Sequence, residues 1–375
     1  MRVVEIRDLD GPNIFLLEPA IKLEIDMEDD DESVVIERLR TLLDSGEQDV
    51  GPALIAVVDF LHERAGLDAP TSLLAPLEVE NHVAVAFGWS HRQAACLIAE
   101  TIGAALEGDT VDFDLNIAKI TDAASNDDPE DRPQYMRNDE RRVLAIGITG
   151  TNGKTTTTRL IAHIAQVAGF HPGWCSTSGV YIDGVEVLNG DYTGPSGARR
   201  VFSDPSVDLA VLETARGGIL LRGLGYESND VSVFTNVSAD HLGLLGIETV
   251  EGLAQVKSTV IAVTRPDGYC VLNARDPLVW ESRSATRATI VAIASDASLP
   301  QVVAHLAEGH PAVVVEDSAI VSVSWNRRIE ITTLDRVPIT FGGRAEHMVE
   351  NALCAAAACL SLGIRPEDVA KGLES

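Results

Sequence analysis

Lysine is scarce in this 375-residue chain, which holds five Lys against 24 Arg. Arg supplies a positive charge as readily as Lys but does not present a free amine, so Lys22, Lys119, Lys154, Lys257 and Lys371 mark where the ammonium itself has a use. Positive charge is short overall, 29 basic residues against 57 acidic ones, a net charge of -28. Such a surface repels phosphate backbones, and no basic stripe interleaved with aromatics offsets it, which argues against a nucleic-acid partner. The cysteines (Cys96, Cys175, Cys270, Cys354 and Cys359) are odd in number, scattered and without a C-x-x-C pair. Neither a disulfide framework nor a zinc site is indicated, and buried apolar fillers are expected. No apolar run reaches the 18 or more residues of a membrane span, and the first residues lack the pattern of a secretory signal. A cytoplasmic protein with no membrane partner is expected.

What is present is ordinary globular material, 45% hydrophobic and 23% charged, in a length that suits two or three domains. Acid is concentrated at the front: residues 1–142 hold 32 acidic and 12 basic residues, net -20, and residues 143–375 hold 25 and 17, net -8. Residues 122–142 are polar, carry two prolines and lack apolar periodicity, so they are expected to be a linker. Residues 1–121 are expected to form a small α+β domain, with strands near 3–6, 14–17, 21–26 and 79–89 and helices near 34–43, 53–66 and 92–106. The run Asp26–Glu32, six acids in seven residues, reads as a solvated loop and not as a cation site. From 143 onward strands at 143–148, 208–214, 231–237 and 268–274 alternate with helices at 155–169 and 250–264. That pattern predicts an α/β domain with a mostly parallel sheet and ligands at the carboxyl ends of its strands. An Ala-rich helix from about 343 and a short one after it close this domain.

The strongest chemical signal joins the first of these strands to its helix: Gly147-Ile148-Thr149-Gly150-Thr151-Asn152-Gly153-Lys154-Thr155-Thr156. A glycine-rich turn opening a helix offers backbone N–H groups and the helix dipole to phosphate oxygens, Lys154 reaches the β- and γ-phosphates, and Thr155 can ligate Mg²⁺. ATP and Mg²⁺ are the expected cofactors, held by Gly150, Thr151, Asn152, Gly153, Lys154, Thr155 and Thr156. The first glycine of the general phosphate-loop pattern would fall at Ile148. Glu213 ends a second central strand, where its carboxylate would face the loop and share the metal; a capping or ion-paired Glu is the alternative.

This loop resembles that of the Mur ligases, ATP-dependent enzymes that join an amino group to a carboxylate. Further segments match in order: VLETARGGILLRGLG (211–225), TNVSADHLG (235–243), Lys257, LNARDP (272–277) and GGRAEHMVENALCAAAA (342–358). LETARGGIL, GGRAE…NAL and the opening MRVVEIRDLDGPN are similar to the cyanophycin synthetase branch. The resemblance implies a P-loop Mur-ligase central ATP-binding domain over 143–375, preceded by the small α+β domain. It also implies that the ATP-grasp domain of that branch is missing between the two, and that the chain stops where a C-terminal ligase domain would begin.

Site roles follow from the same resemblance. His241 would help hold a second Mg²⁺, with Asn236 and Asp240 orienting its loop. Lys257 would be carbamylated into an anionic metal ligand, a chemistry closed to Arg; a snorkelling surface lysine is the alternative. Asn273 and Asp276 would contact the adenine side, although a turn after a strand explains the same pair. Thr193 and Ser196 in DYTGPSG (191–197) resemble a substrate-side loop, with a plain turn as the alternative. Read from the residues themselves, Arg216 and Arg222 flank a glycine-rich segment near Glu213 and would clamp an anionic acceptor or else lie as ordinary surface charges, and His347 and Asn351 have packing or capping roles. Lys154, Glu213, His241 and Lys257 form the expected catalytic set; Thr155, Glu213, His241 and Lys257 form the metal set.

The implied function is an ATP-dependent carboxylate–amine ligase. A substrate carboxylate takes the γ-phosphate to become an acyl phosphate, and an amine such as that of arginine displaces phosphate. Its partners would be a small-molecule or peptide carboxylate and an amino acid, with homo-oligomerisation left open. The rival readings are a peptidoglycan-type Mur ligase and a non-catalytic nucleotide-binding subunit or fragment. Without a C-terminal domain to close over ATP, the chain is expected to bind nucleotide but to turn over poorly.

Overall fold

From Ala20 to Asp26 the sequence alternates Ile21, Leu23 and Ile25 with Lys22 and Glu24. In the computed structural model this period of two puts the three apolar side chains into a core and the two charges on the other face. The structure describes residues 1–27, 32–40, 42, 49–240, 242–324 and 327–375. Residues 28–31, the centre of the acidic run, lie outside them.

Two compact units result. The first comprises Met1–Tyr135 together with Leu220–Gly223 and Gly243–Glu248. Its elements are β1 (Arg2–Leu9), β2 (Ala20–Asp26), α1 (Glu32–Arg40), α2 (Val50–Arg64), β3 (Ser72–Pro76), β4 (His82–Gly88), α3 (Arg92–Glu107) and α4 (Phe113–Ala124). The strands form an antiparallel sheet in the order β1-β2-β4-β3. Leu54, Val57 and Leu61 of α2 and Ile98 and Ile102 of α3 share one core with Ile21, Leu23, Ile25 and Phe87.

One sequence expectation fails here for a physical reason. Residues 14–17 are not a strand, because Asn13 folds them into a turn: its Oδ1 accepts from the N–H of Phe15 and Leu16, and its Nδ2 donates to the carbonyls of Gly11 and Glu18. β3 and α4 were not foreseen. Residues 122–142, expected to be a linker, contain the division between the two units after Tyr135; they begin inside α4, and Asp131 is buried and accepts the Gln93 N–H at the start of α3, 2.8 Å away. Farther along, Arg141 pairs with Asp230, whose carboxylate also accepts the Ala145 N–H.

The second unit comprises Met136–Ile219, Leu224–Leu242 and Thr249–Ser375. It is built from β5 (Leu144–Thr149), α5 (Lys154–Val167), β6 (Pro172–Ser176), β7 (Gly179–Ile182), β8 (Val185–Asn189), α6 (Pro195–Phe202), β9 (Leu209–Glu213), α7 (Arg216–Arg222, its last turn belonging to the first unit) and β10 (Asn229–Phe234). There follow α8 (Val250–Ala262), β11 (Thr264–Asn273), α9 (Pro277–Glu281), β12 (Thr289–Ala294), α10 (Pro300–Ala307), β13 (Ala312–Glu316), β14 (Ala319–Ser324), β15 (Arg327–Thr333), α11 (Glu346–Ser361) and α12 (Pro366–Glu374).

Among the described residues these strands make one eleven-stranded sheet, β15-β14-β13-β12-β11-β10-β5-β9-β6-β7-β8. The run from β13 to β6 is parallel, and antiparallel pairs close both edges. A parallel strand buried on both faces reads as a continuous apolar run, which is what β5 and β9 show. On one face α11 is buried all round from Ala352 to Cys359 and packs with α5 and α12, so alanine and cysteine fit where larger side chains would not. Cys175, Cys270, Cys354 and Cys359 are buried and Cys96 is half-buried.

Candidate active site

After β5 the chain first builds β6 and β9 on one side and then β10 to β13 on the other, so β5 marks the topological switch where an α/β sheet opens a crevice. Three strand ends converge there: β5 runs into Gly150–Gly153, β9 ends at Glu213, and β10 runs into Thr235–Asp240. Gly150 (φ +148°) and Gly153 (φ +84°) adopt backbone conformations that favour glycine. A Cβ at either would clash, with Thr235 Oγ1 at 150 and with Asn351 Oδ1 at 153. Gly147 has a different reason to be glycine. It lies within β5, where a Cβ would stand 2.6 Å from the Tyr226 hydroxyl, while Ile148 is a buried strand residue.

The turn is held from the β10 side. Thr151 N–H donates to the Asn236 carbonyl (2.8 Å), Asn152 N–H donates to Asn236 Oδ1 (2.9 Å), and the Thr235 hydroxyl donates to the Asn152 carbonyl (2.7 Å). With those N–H groups engaged, the free donors are the first N–H groups of α5, which have no intrahelical acceptor. Asn273 and Asp276 brace the same segment: Asn273 Nδ2 donates to the Thr235 carbonyl (3.0 Å), and Asp276 accepts the Val237 N–H (2.7 Å) while capping α9.

Charge is concentrated around this turn. Lys154 Nζ donates to the Thr151 carbonyl at 2.9 Å, and burial lowers its pKa against the opposing pull of Glu213. Thr155 Oγ1 donates to Glu213 Oε2 at 2.9 Å and lies 3.1 Å from Thr177 Oγ1. Glu213 is 1% exposed, and burial pushes its carboxyl pKa up. Its Oε1 is buried without a well-formed hydrogen bond; the Thr177 N–H is near enough only to lower the carboxyl pKa somewhat. Lys257 is not a surface lysine: on α8 it is 4% exposed and its Nζ donates to the Gly150 carbonyl at 2.6 Å. Burial, and then the charge of Lys154, push its amine down to about 7.

The structure thus gathers Gly150–Thr156, Glu213 and Lys257 at one crevice, with Asn273 and Asp276 behind it. His241 lies outside the described residues, while its neighbour Asp240 acts electrostatically on both Lys154 and Lys257. Thr193 is buried with its hydroxyl donating to Asp191, and Ser196 is exposed. Arg222 belongs to the first unit, where it pairs with Asp8 and Asp10. His347 is exposed, whereas Asn351 is buried against Gly153 and Thr157. Thr177, which flanks Thr155 from the turn after β6, was missed; nothing in the sequence around it marks a site.

Residues 148–359 match the Mur ligase middle domain family. The chain is 44% identical over 236 residues to the cyanophycin synthetase of Nostoc sp., an alignment covering 62% of this chain and 26% of that protein. It is 31% identical to the UDP-N-acetylmuramoylalanine--D-glutamate ligase of Nitrobacter winogradskyi, over 61% of this chain and 43% of that one. The chain therefore spans about a quarter of the length of the cyanophycin synthetases it matches. Among solved structures, a pseudomurein peptide ligase type C from Methanothermus fervidus aligns with a TM-score of 0.42 and 22% identity, over 62% of this chain and 49% of that one. Among the described residues no helix is long and apolar enough to cross a membrane.

Proposed function

The chain belongs to the Mur ligase family, and from that premise we propose that it is an ATP-dependent carboxylate–amine ligase working through an acyl phosphate, with an amino acid such as arginine supplying the amine. The observation that carries this reading is the glycine turn with Lys154 and the Thr155–Glu213 pair on its inner side. Lys154 would hold the β- and γ-phosphates, and the free N–H groups of α5 would take the remaining phosphate oxygens. Thr155 and Glu213 suit Mg²⁺: a hydroxyl and a carboxylate with one oxygen unpartnered are hard oxygen donors, and this cation keeps places for water and phosphate. When bound, Mg²⁺ supplies neutralisation of phosphate charge.

Lys257 is the second element of the reading. Burial that brings the amine down to about 7 makes the free base available near neutral pH, the form whose nitrogen attacks CO₂ to form a carbamate with loss of a proton. The resulting anion, with His241, would complete a second metal position. Removal of Lys154 tests the nucleotide half. Isothermal titration of Mg²⁺-ATP should show binding to the wild-type chain and none to Lys154→Ala, and equal affinities would overturn the loop assignment.

A further inference from the structure

The two arginines of the 211–225 segment have different fates. Arg222 is ion-paired, 3.2 Å from Asp8 and 3.8 Å from Asp10. Arg216, at the start of α7, has no carboxylate partner among the described residues, and its Nη1 is buried without a hydrogen-bond acceptor. In a chain with 57 acidic residues an unpaired, half-buried guanidinium is unexpected, because a guanidinium has five donors to satisfy and its desolvation goes uncompensated.

Its setting is well defined. Thr214 and Ala215, between Glu213 and Arg216, are fixed by N–H donation to the carbonyls of Ile148 (2.8 Å) and Thr193 (3.1 Å). A Cβ on Gly218 would lie 3.1 Å from the Cα of Gly194, so the 191–197 loop and the first turn of α7 form one close-packed wall. At Gly217, by contrast, a Cβ would meet nothing within 4 Å. The charge of Arg216 also reaches Lys257 and helps keep its amine from protonating. A cation with spare donors thus follows the candidate metal-bearing carboxylate by three positions, on a segment held by backbone hydrogen bonds and next to the open position at Gly217.

We propose that Arg216 binds the carboxylate of the acceptor, holding by charge-assisted hydrogen bonds the group that is to be activated. This rests on the ligase reading above and assigns the acceptor side of the same site. Two measurements decide it. Binding of carboxylates, from acetate to N-acetylaspartate and an aspartyl dipeptide, is followed by NMR titration with and without Mg²⁺-ADP, and orthophosphate is titrated in parallel. Arg216→Ala should weaken carboxylate binding at least tenfold, Arg216→Lys should recover part of it, and ADP affinity should stay within twofold of wild type.

Thermal unfolding gives the second readout. A side chain kept for a ligand leaves its donors idle in the free protein, so Arg216→Met should unfold at the same or a higher temperature than wild type. A clear drop in Tm would mark Arg216 as structural and overturn the proposal. So would unchanged carboxylate affinity in Arg216→Ala, absence of carboxylate binding to the wild-type chain, or loss of orthophosphate binding alone. Failure of the wild type to bind ADP would strike the nucleotide reading instead, while the nucleotide-free titrations still judge Arg216.

Discussion

At the scale of single residues, two of the five lysines meet at one turn, Lys154 through the Thr151 carbonyl and Lys257 through the Gly150 carbonyl. If Lys257 becomes a carbamate, the extent of modification should rise as pH rises through about 7, because only the unprotonated amine reacts. Carbon-13 NMR with labelled bicarbonate reads this directly: a carbamate resonance should grow with pH in the wild type and be missing from Lys257→Arg. In whatever assembly shows ligase turnover, Lys257→Ala should lose activity and regain part of it when acetate or formate fills the vacated anionic place. Full activity in Lys257→Arg would return this residue to an ordinary cation.

At the scale of elements, the contact between Gly153 and Asn351 links α5 to α11 across nearly 200 residues of sequence. Gly153→Ala should cost ~1–2 kcal/mol from its positive φ and roughly 1–3 kcal/mol more from overlap with Asn351. Nucleotide affinity should fall with it, and Asn351→Ala in the same chain should restore the overlap part; denaturant titration and calorimetry measure the two. A pH effect belongs to α2. His62 donates from Nδ1 to the Val58 carbonyl, and burial lowers its pKa. The unfolded chain therefore takes up a proton at about 6.5 that the folded one resists, so stability should fall as pH drops below that value. His62→Gln should flatten this slope in thermal melts between pH 7 and 5.

The same scale shows what the sequence could and could not convey. β5, α5, β9, β10, α8 and α11 were legible because each pairs a long periodic or apolar run with a motif at its end. The strands from β12 to β15 were not, since short apolar runs such as Thr289–Ala294 suit a buried helix segment as well as a strand. Edge strand β8 is only five residues long and exposed along most of its length, so its Val185-Glu186-Val187 alternation is too short to mark it. Within the site, strand-end reasoning set Glu213 beside Thr155, and the two side chains do meet although 58 positions separate them in sequence. Asn273 and Asp276 were legible as a turn. Their use in bracing the 235–238 segment depends on β10 and β11 being neighbours, which sequence spacing does not reveal.

For the whole molecule, a net charge of -28 means that folding gathers like charges. Salt screens them, with a Debye length of ~10 Å at 0.1 M, so Tm should climb with NaCl well beyond the change seen for a neutral protein of this size. A flat salt response would show that local ion pairs already balance the field.

The antiparallel pairs that close both edges of the large sheet have a consequence for amide exchange. β5, β9 and β10 each have a strand on both sides, and the nearest edge strand, β8, is three places from β9. Their amides should exchange with deuterium only when the whole unit opens, while those of β8 and β15 exchange through local fraying. The phosphate turn would then spring from the slowest-exchanging backbone in the protein. Its position would be set before any nucleotide arrives, and nucleotide binding should deepen protection at the start of α5 without slowing the already silent strands beneath it.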